Sequence, residues 1–373
     1  MIKILNLVLN DFTNDSRVLK ISKSLLAFGF DPTVVAMHNN GLKEDELVQG
    51  LKVKRIKLIT RPWPKWKPVQ FLKYIEFLIR ASISYRNVDI IHCNDLNALP
   101  VGLLIKLFGR GKKVVYDCHE YETEMDALKG FEKVVKKIME RFLIRYVDKV
   151  TTVSDSIANE YVKLYQIDKP SLVLNCPLYV EQTKANIFRE TLGIRSDQVV
   201  FLYQGGLKRG RGIELLLEAF SNLDNDKNIL VCMGYGPLET MIKEKAAQQA
   251  TIFFHPAVSP GVLLDYTCSA DYGILFYEDT CLNHRYCSPN KIFEYLMAGL
   301  PVLTSNLFEM KRLVETEGVG IVAEENTVDG FRKAVEASLS QDYTAIQQNV
   351  FAARKKYCWE EQEKVLKEVY SDL

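Results

Sequence analysis

Three segments in the second half of the chain carry the groups best suited to holding an anion. The run from Tyr203 to Glu214 sets Gly205, Gly206, Gly210 and Gly212 among Lys208, Arg209 and Arg211. It follows a strand-like apolar run and opens a helix-like one with Ile213, Leu216, Leu217 and Phe220 on a common face. Glycines admit close backbone approach, a helix N-terminus offers unpaired N–H groups, and the cations add positive potential, so the run reads as an anion site. It is no Walker loop, because Gly205 and Gly210 are followed by Arg211 and Gly212 rather than Lys and Ser or Thr. A tight turn with exposed cations is the plainer alternative. Gly234 and Gly236 form a second turn, but Glu239 stands where a third glycine would complete a dinucleotide fingerprint, which disfavours NAD. Pro237 fits the first turn of the next helix. In the run Tyr286 to Pro301, Ser288 is placed to cap a helix with Pro289 at its first position, leaving the N–H groups of Asn290 and Lys291 for an anion. Glu294, one turn on, can accept two hydrogen bonds from a vicinal diol such as a ribose, and among Ile292, Phe293, Tyr295 and Leu296 it would be costly to bury alone.

In the first half His119 follows the strand-like run Val114 to Asp117, at the carboxyl edge where parallel sheets place ligands. A histidine there is a site group or a satisfied structural one, and Glu120, Glu122 and Glu124 beside it are not ranked by position. Asp95 and Asn97 are further edge candidates. Asp224 and Asp226 have the spacing of a metal-binding Asp-x-Asp pair but read as a turn, so no metal is expected. Ser154 and Ser156 lack the glycine frame of a hydrolase nucleophile.

The elements that would position these groups alternate strand and helix twice. At 373 residues the chain exceeds the ~250 to 300 at which one core stops growing, so two domains are expected. Strand-like runs fall at 2–9, 33–37, 53–59, 89–93, 113–117, 149–153 and 172–174, and again at 199–203, 229–232, 252–254, 273–276 and 301–304. Val18, Ile21, Leu25 and Phe28 follow the spacing of a buried helical face that Gly29 terminates. The expected fold is α/β, with Rossmann-like domains over 1–175 and 176–350 facing across a cleft and a helix over 351–373 crossing back to the first domain. With 47% hydrophobic and 25% charged residues the composition excludes a disordered or fibrous chain, and no apolar run reaches the ~20 residues of a spanning helix. Met1 to Leu9 reads as a strand rather than a signal peptide, so the expected location is the cytosol. Eight scattered cysteines without a Cys-x-x-Cys pair suggest reduced thiols, not a disulfide frame or structural zinc.

The glycine-rich run, the Gly-x-Gly-Pro turn at Gly234 to Pro237 and the block from Tyr286 to Glu294, continued by Ala298 to Pro301, resemble the nucleotide-sugar-binding domain of the retaining glycosyltransferases of family 4, which have the GT-B fold. The stretches Asp117 to Glu120 and Asn14 to Lys20 resemble motifs of that family's N-terminal half, and the likeness spans nearly the whole chain. It implies a metal-independent enzyme without a cofactor that moves a hexose from a nucleotide diphosphate sugar, UDP-linked first and GDP-linked second, to a hydroxyl acceptor with retention. The implied donor residues are Gly205, Gly206, Lys208, Arg209, Gly236, Ser288, Pro289, Asn290 and Glu294. Arg211, Lys291 and His119 are the implied catalytic groups, with His119 on the transferred sugar, and Asn14, Arg17, Asp95 and Glu120 are candidates for the acceptor edge. In the usual proposal for such enzymes the leaving phosphate takes the acceptor proton, so no protein nucleophile is required. Two positions depart from the family pattern: its phosphate-binding arginine falls on Gly206, and the first glutamate of its Glu-x7-Glu pair falls on Tyr286. Neutralisation of the diphosphate is then left to Arg211, Lys208 or Lys291. A nucleotide-sugar 2-epimerase of the same fold, or a sugar-nucleotide-binding protein without activity, are the competing expectations.

The charge is lopsided. Residues 1–175 hold 28 Lys and Arg against 20 Asp and Glu, a balance of +8, and the remainder holds 20 against 27, a balance of −7. An anionic partner for the first half is expected, and a membrane rather than nucleic acid. Trp63 and Trp66 lie among cations, and Lys133, Lys137, Arg141 and Arg145 recur every four residues opposite Val135, Ile138 and Phe142. That pattern predicts an outward cationic ridge, a peripheral location on the inner face of the plasma membrane, and a lipid-linked or envelope polysaccharide precursor as acceptor.

Overall fold

The computed structural model describes the chain except for Arg110, Ala127, Gln182, Asp224 and Asn225. It forms two compact units, Met1–Val173 with Gln362–Leu373, and Leu174–Glu361. Both are α/β and Rossmann-like.

The first unit holds β1 (Lys3–Leu7), β2 (Asp31–Met37), β3 (Asp45–Val48), β4 (Leu51–Ile56), β5 (Ile90–Asn94), β6 (Lys113–Cys118), β7 (Lys149–Thr152) and β8 (Ser171–Leu172). Their spatial order is β3-β4-β2-β1-β5-β6-β7-β8, parallel throughout except where β3 runs against β4. Helices cover both faces, so the central strands are buried on each side and read as continuous rather than alternating apolar runs; every residue of β5 is buried. The helix Ser16–Ala27 buries Val18, Ile21 and Leu25 and ends before Gly29, whose φ of +90° only glycine adopts freely. The strand order reverses at β1, between β2 and β5, which makes the carboxyl ends of β1, β5 and β6 the place for a ligand.

The second unit holds β9 (Val199–Gly206), β10 (Asn228–Tyr235), β11 (Ile252–Pro256), β12 (Tyr272–Leu275), β13 (Val302–Thr304) and β14 (Gly320–Val322), all parallel in the order β11-β10-β9-β12-β13-β14. Alternate residues of β9 enter different cores. Val200 and Leu202 pack with Phe293 and Leu296 of the helix Asn290–Met297, and Phe201 and Tyr203 pack with Leu216 and Phe220 of the helix Ile213–Ser221. The order reverses between β9 and β12, again defining a crevice at the carboxyl ends.

Two strands escape the periodicity. β3 is an antiparallel edge with the polar sequence Asp45-Glu46 at its start, and β14 spans three residues. The helix expected over 351–373 is instead two helices, Tyr343–Lys356 and Trp359–Ser371. Tyr357 leaves helical geometry (φ −102°, ψ 56°), and the Trp359 amide donates to the carbonyl of Pro177 (2.7 Å) rather than to the preceding turn. The chain accordingly divides at Val173 and at Glu361. Tyr370 of the last helix sits by His92 of β5, its hydroxyl 2.7 Å from Nδ1. The eight cysteines are free, and among the described residues no helix is long and apolar enough to cross a membrane.

Candidate functional site

At the β9–β12 crevice the backbone approaches itself so closely that side chains are excluded. A Cβ on Gly212 (φ +66°) would strike the carbonyl of Phe276, one on Gly234 the carbonyl of Gly205, and one on Gly236 the carbonyl of Leu207. Gly205 (φ +111°) lies directly under the Lys291 side chain. The strand ends thereby close on a cavity of about 360 Å³, walled by Gly206, Gly236, Pro237, Tyr235 and Tyr277 and entered by Lys208, Arg211 and Lys291. The Arg211 guanidinium lies 4.3 Å from the centroid of the Tyr277 ring, and the Lys291 ammonium 5.0 Å from that of Tyr203. Burial, together with repulsion from Arg211 and Lys208, pushes the Lys291 ammonium down to about 8. Three like charges brought together in this way suit an anion of two or more charges.

Glu294 is the carboxylate next to those cations. Gln204 at the end of β9 donates to it from Nε2 (2.6 Å), and the orientation of that amide is fixed by the Thr267 hydroxyl, which donates to Oε1 (2.8 Å). Tyr295 pins the same helix to β9, its hydroxyl accepting from the backbone N–H of Gln204 (3.1 Å) and donating to the Leu202 carbonyl (3.0 Å). The helix opens differently from expectation. Pro289 is its N-cap, in extended geometry (ψ 136°), and Ser288 makes no capping bond because it stands one residue too far upstream. Likewise Pro237 lies in the turn before the helix Glu239–Gln248, whose Glu239 side chain accepts from the Gly236 amide (3.1 Å).

The first unit assembles a chain of alternating charge at the ends of β5 and β6. Arg17, buried, donates to Asp117 from Nη2 (2.6 Å) and Nε (2.9 Å) and to the Val173 carbonyl from Nη1 (2.7 Å). Asp117 also accepts from Thr151 (2.7 Å). His119 lies between two carboxylates, with Nε2 3.0 Å from Asp117 and Nδ1 3.3 Å from Asp95. Burial alone would lower its pKa, but Asp95 and Asp117 raise it to about 9, so the ring is an imidazolium at neutral pH. Against the burial that would raise it, Arg17 holds Asp117 well below the usual carboxylate range. Burial and the neighbouring Asp95 push Glu122 up to about 8, and the two acids are hydrogen-bonded. Asp95 takes a positive φ of +65° at the start of the helix Asp95–Leu107, a conformation rare for a residue with a side chain and one that aims it at His119.

The family model described as Glycosyltransferase Family 4 matches residues 16–181, and that described as Glycosyl transferases group 1 matches residues 198–341. The chain belongs to the group 1 glycosyltransferases of family 4. An uncharacterized glycosyltransferase of Methanocaldococcus jannaschii is 24% identical over 375 residues, covering 94% of this chain and 92% of its own. Among solved structures, sucrose-phosphate synthase from Thermosynechococcus elongatus superposes with a TM-score of 0.81 at 15% identity, over 100% of this chain and 99% of the other. Anabaena HepE in complex with UDP-glucose gives 0.76 at 14% identity, over 100% of both chains. At such identities the likeness speaks for the fold, two Rossmann-like domains of GT-B type.

In this glycosyltransferase several expected residues meet and others do not. Lys208, Arg211, Lys291, Gly206 and Gly236 share the cavity, with Gly205 beneath Lys291. Arg209 points away, 86% exposed and 3.8 Å from Glu214. Arg17 is no open acceptor contact but the buried partner of Asp117, and Asn14 is exposed in the loop before its helix. Of the three acids after His119, Glu122 joins Asp95, Glu124 binds Lys133 and Lys137, and Glu120 stays part-exposed. Asp224 and Asn225 lie outside the described residues, and Asp226 pairs with Arg195 (2.9 Å). Tyr286 stacks edge-on against Phe308. Sequence reasoning missed Gln204, Thr267 and Tyr277. Gln204 carried a signal, a polar residue interrupting the apolar run of β9 just before its glycines; the other two carried none.

Proposed function

We propose that this glycosyltransferase transfers a hexose from a nucleotide diphosphate sugar, UDP-linked before GDP-linked, to a hydroxyl of a lipid-linked or envelope polysaccharide precursor, with retention at the anomeric carbon. The observation that carries the reading is the convergence of Lys208, Arg211 and Lys291 on one glycine-walled cavity beside Glu294. The cations take the diphosphate and Glu294 the ribose hydroxyls. In the transfer the anomeric C–O bond to the β-phosphate breaks and one to the acceptor oxygen forms on the same face, while the acceptor proton passes to a phosphate oxygen. The departing diphosphate gains charge as the bond breaks, and preorganised cations stabilise that state more than the ground state. They supply the countercharge without a metal, so added chelator leaves the rate unchanged. His119, an imidazolium whose longer contact is to Asp95, donates to a sugar hydroxyl rather than accepting a proton.

Glu294→Gln weakens nucleoside diphosphate binding by about 1 to 3 kcal/mol, the loss of a charge-assisted hydrogen bond. Unchanged affinity would remove Glu294 from the donor site. Product analysis of the wild-type protein with UDP- and GDP-sugars tests the activity: glycosylated acceptor or slow donor hydrolysis supports transfer, a changed nucleotide sugar released without acceptor supports epimerisation, and binding without turnover supports an inactive receptor.

A further inference from the structure

The helix Gly130–Leu143 is turned the wrong way for a helix whose only environment is its own unit and water. Phe131, Val134, Val135, Ile138 and Phe142 share one side of it and all are exposed, from 42% at Val135 to 84% at Phe131. Its one buried side chain, Glu140, lies on the opposite side and accepts hydrogen bonds from the hydroxyls of Tyr116 (2.7 Å), Tyr161 (2.7 Å) and Tyr165 (2.6 Å). The cationic ridge expected on the outer face is corrected accordingly. Lys133 (2.6 Å) and Lys137 fold inward onto Glu124, and the tyrosine trio and Glu124 together require the polar side inside. Arg141 and Arg145 remain exposed beside the apolar stripe.

The stripe continues onto a second element. Trp63 and Trp66, 47% and 68% exposed, and Phe71 stand at the start of the helix Lys67–Ser84, and Lys67 ties that start to Glu132 on the inverted helix (3.1 Å). At the far end Phe142 and Tyr146 share an apolar groove with Leu103, Leu104 and Leu107. An exposed apolar stripe carried over these elements marks an interaction surface. Its border identifies the partner. Lys65, Lys67, Lys129, Arg141 and Arg145 are exposed around it, and indole rings seat at the boundary of water and hydrocarbon.

We infer that this face rests on an anionic membrane, with Phe131, Val134, Ile138, Phe142 and Trp66 in the headgroup–acyl boundary and the bordering lysines and arginines on anionic headgroups. The same surface reaches the catalytic edge, since Tyr74 of the helix Lys67–Ser84 donates to the carbonyl of Asn97 (3.1 Å), two residues after Asp95. The inference depends on the transfer reading only for its purpose, the capture of an acceptor carried by lipid.

Sedimentation of the full chain with vesicles tests it. Vesicles of phosphatidylglycerol and phosphatidylcholine in equal parts pellet the protein at low salt and release it at high salt, and pure phosphatidylcholine vesicles bind it far less. Ile138→Glu combined with Phe142→Glu, both at exposed positions, weakens that binding by about tenfold or more while circular dichroism and nucleoside diphosphate affinity stay unchanged. The inference is overturned if neither vesicle binds, if the double variant binds like wild type, if neutral vesicles bind equally, or if the face proves to be covered in a dimer that the double variant dissociates. Loss of nucleotide binding with vesicle binding intact would strike the transfer reading and leave this surface standing.

Discussion

One of the two departures from the family pattern, that at Gly206, is resolved at the scale of single side chains. Gly206 cannot supply a phosphate-binding guanidinium, yet Arg211, five residues on, reaches the same cavity because Gly210 and Gly212 bend the intervening turn with positive φ. Arg211 rests on Tyr277, where a lysine would lose both the stacking and the forked donors. Lys291 is the more informative titrator. Its ammonium is held at about 8, so the cavity loses one positive charge as pH rises through that value, and affinity for a nucleoside diphosphate falls from pH 7 to 9. Lys291→Arg, which stays charged, removes the break. Titration calorimetry across that range checks both, and a flat wild-type profile would show that Lys291 does not meet the diphosphate.

Elements, not isolated residues, set the state of the His119 cluster. β6 carries Asp117 and is followed directly by His119 at the edge, the strained Asp95 opens the helix that follows β5, and the turn after β6 returns Glu122 to Asp95. His119 is raised from its ordinary 6.5 to about 9 and Glu122 from 4.5 to about 8, so between pH 6.5 and 8 the folded unit binds more protons than the unfolded chain. Stability therefore falls as pH rises through that window, by up to ~1.4 kcal/mol per pH unit for each group. The melting temperature of wild type drops from pH 6.5 to 8, and the combination of His119→Gln with Glu122→Gln flattens the slope; an equally steep slope in the variant would place the linkage elsewhere. Much of this framework was legible in the sequence. The β-branched runs of β1, β5, β6, β9 and β10 are buried on both faces and announce themselves, as do the glycines that no side chain could replace. What stayed hidden depends on tertiary neighbours. β3 is a polar edge strand without an apolar pattern, the N-cap role of Pro289 rests on one extended ψ, and the inversion of the helix Gly130–Leu143 follows from three tyrosines distant in sequence that meet Glu140.

For the whole molecule the proposed transfer assigns the nucleotide to the second unit and the sugar and its acceptor to the first. His119→Ala thus lowers turnover strongly and leaves nucleoside diphosphate affinity nearly intact, whereas equal loss of both would erase the division. The opposite charge balances of the two halves of the sequence belong to the same picture, since the positive half carries the face inferred to meet anionic lipid. The central claim is that the glycine-walled cavity is a diphosphate site of a nucleotide-sugar donor, and calorimetric titration of UDP into wild type and Arg211→Ala tests it most directly. The account predicts one UDP bound per chain, weakened roughly ten- to hundredfold by Arg211→Ala and unaffected by His119→Ala. Absence of binding by UDP, GDP and ADP alike, or equal affinity in wild type and Arg211→Ala, would contradict it.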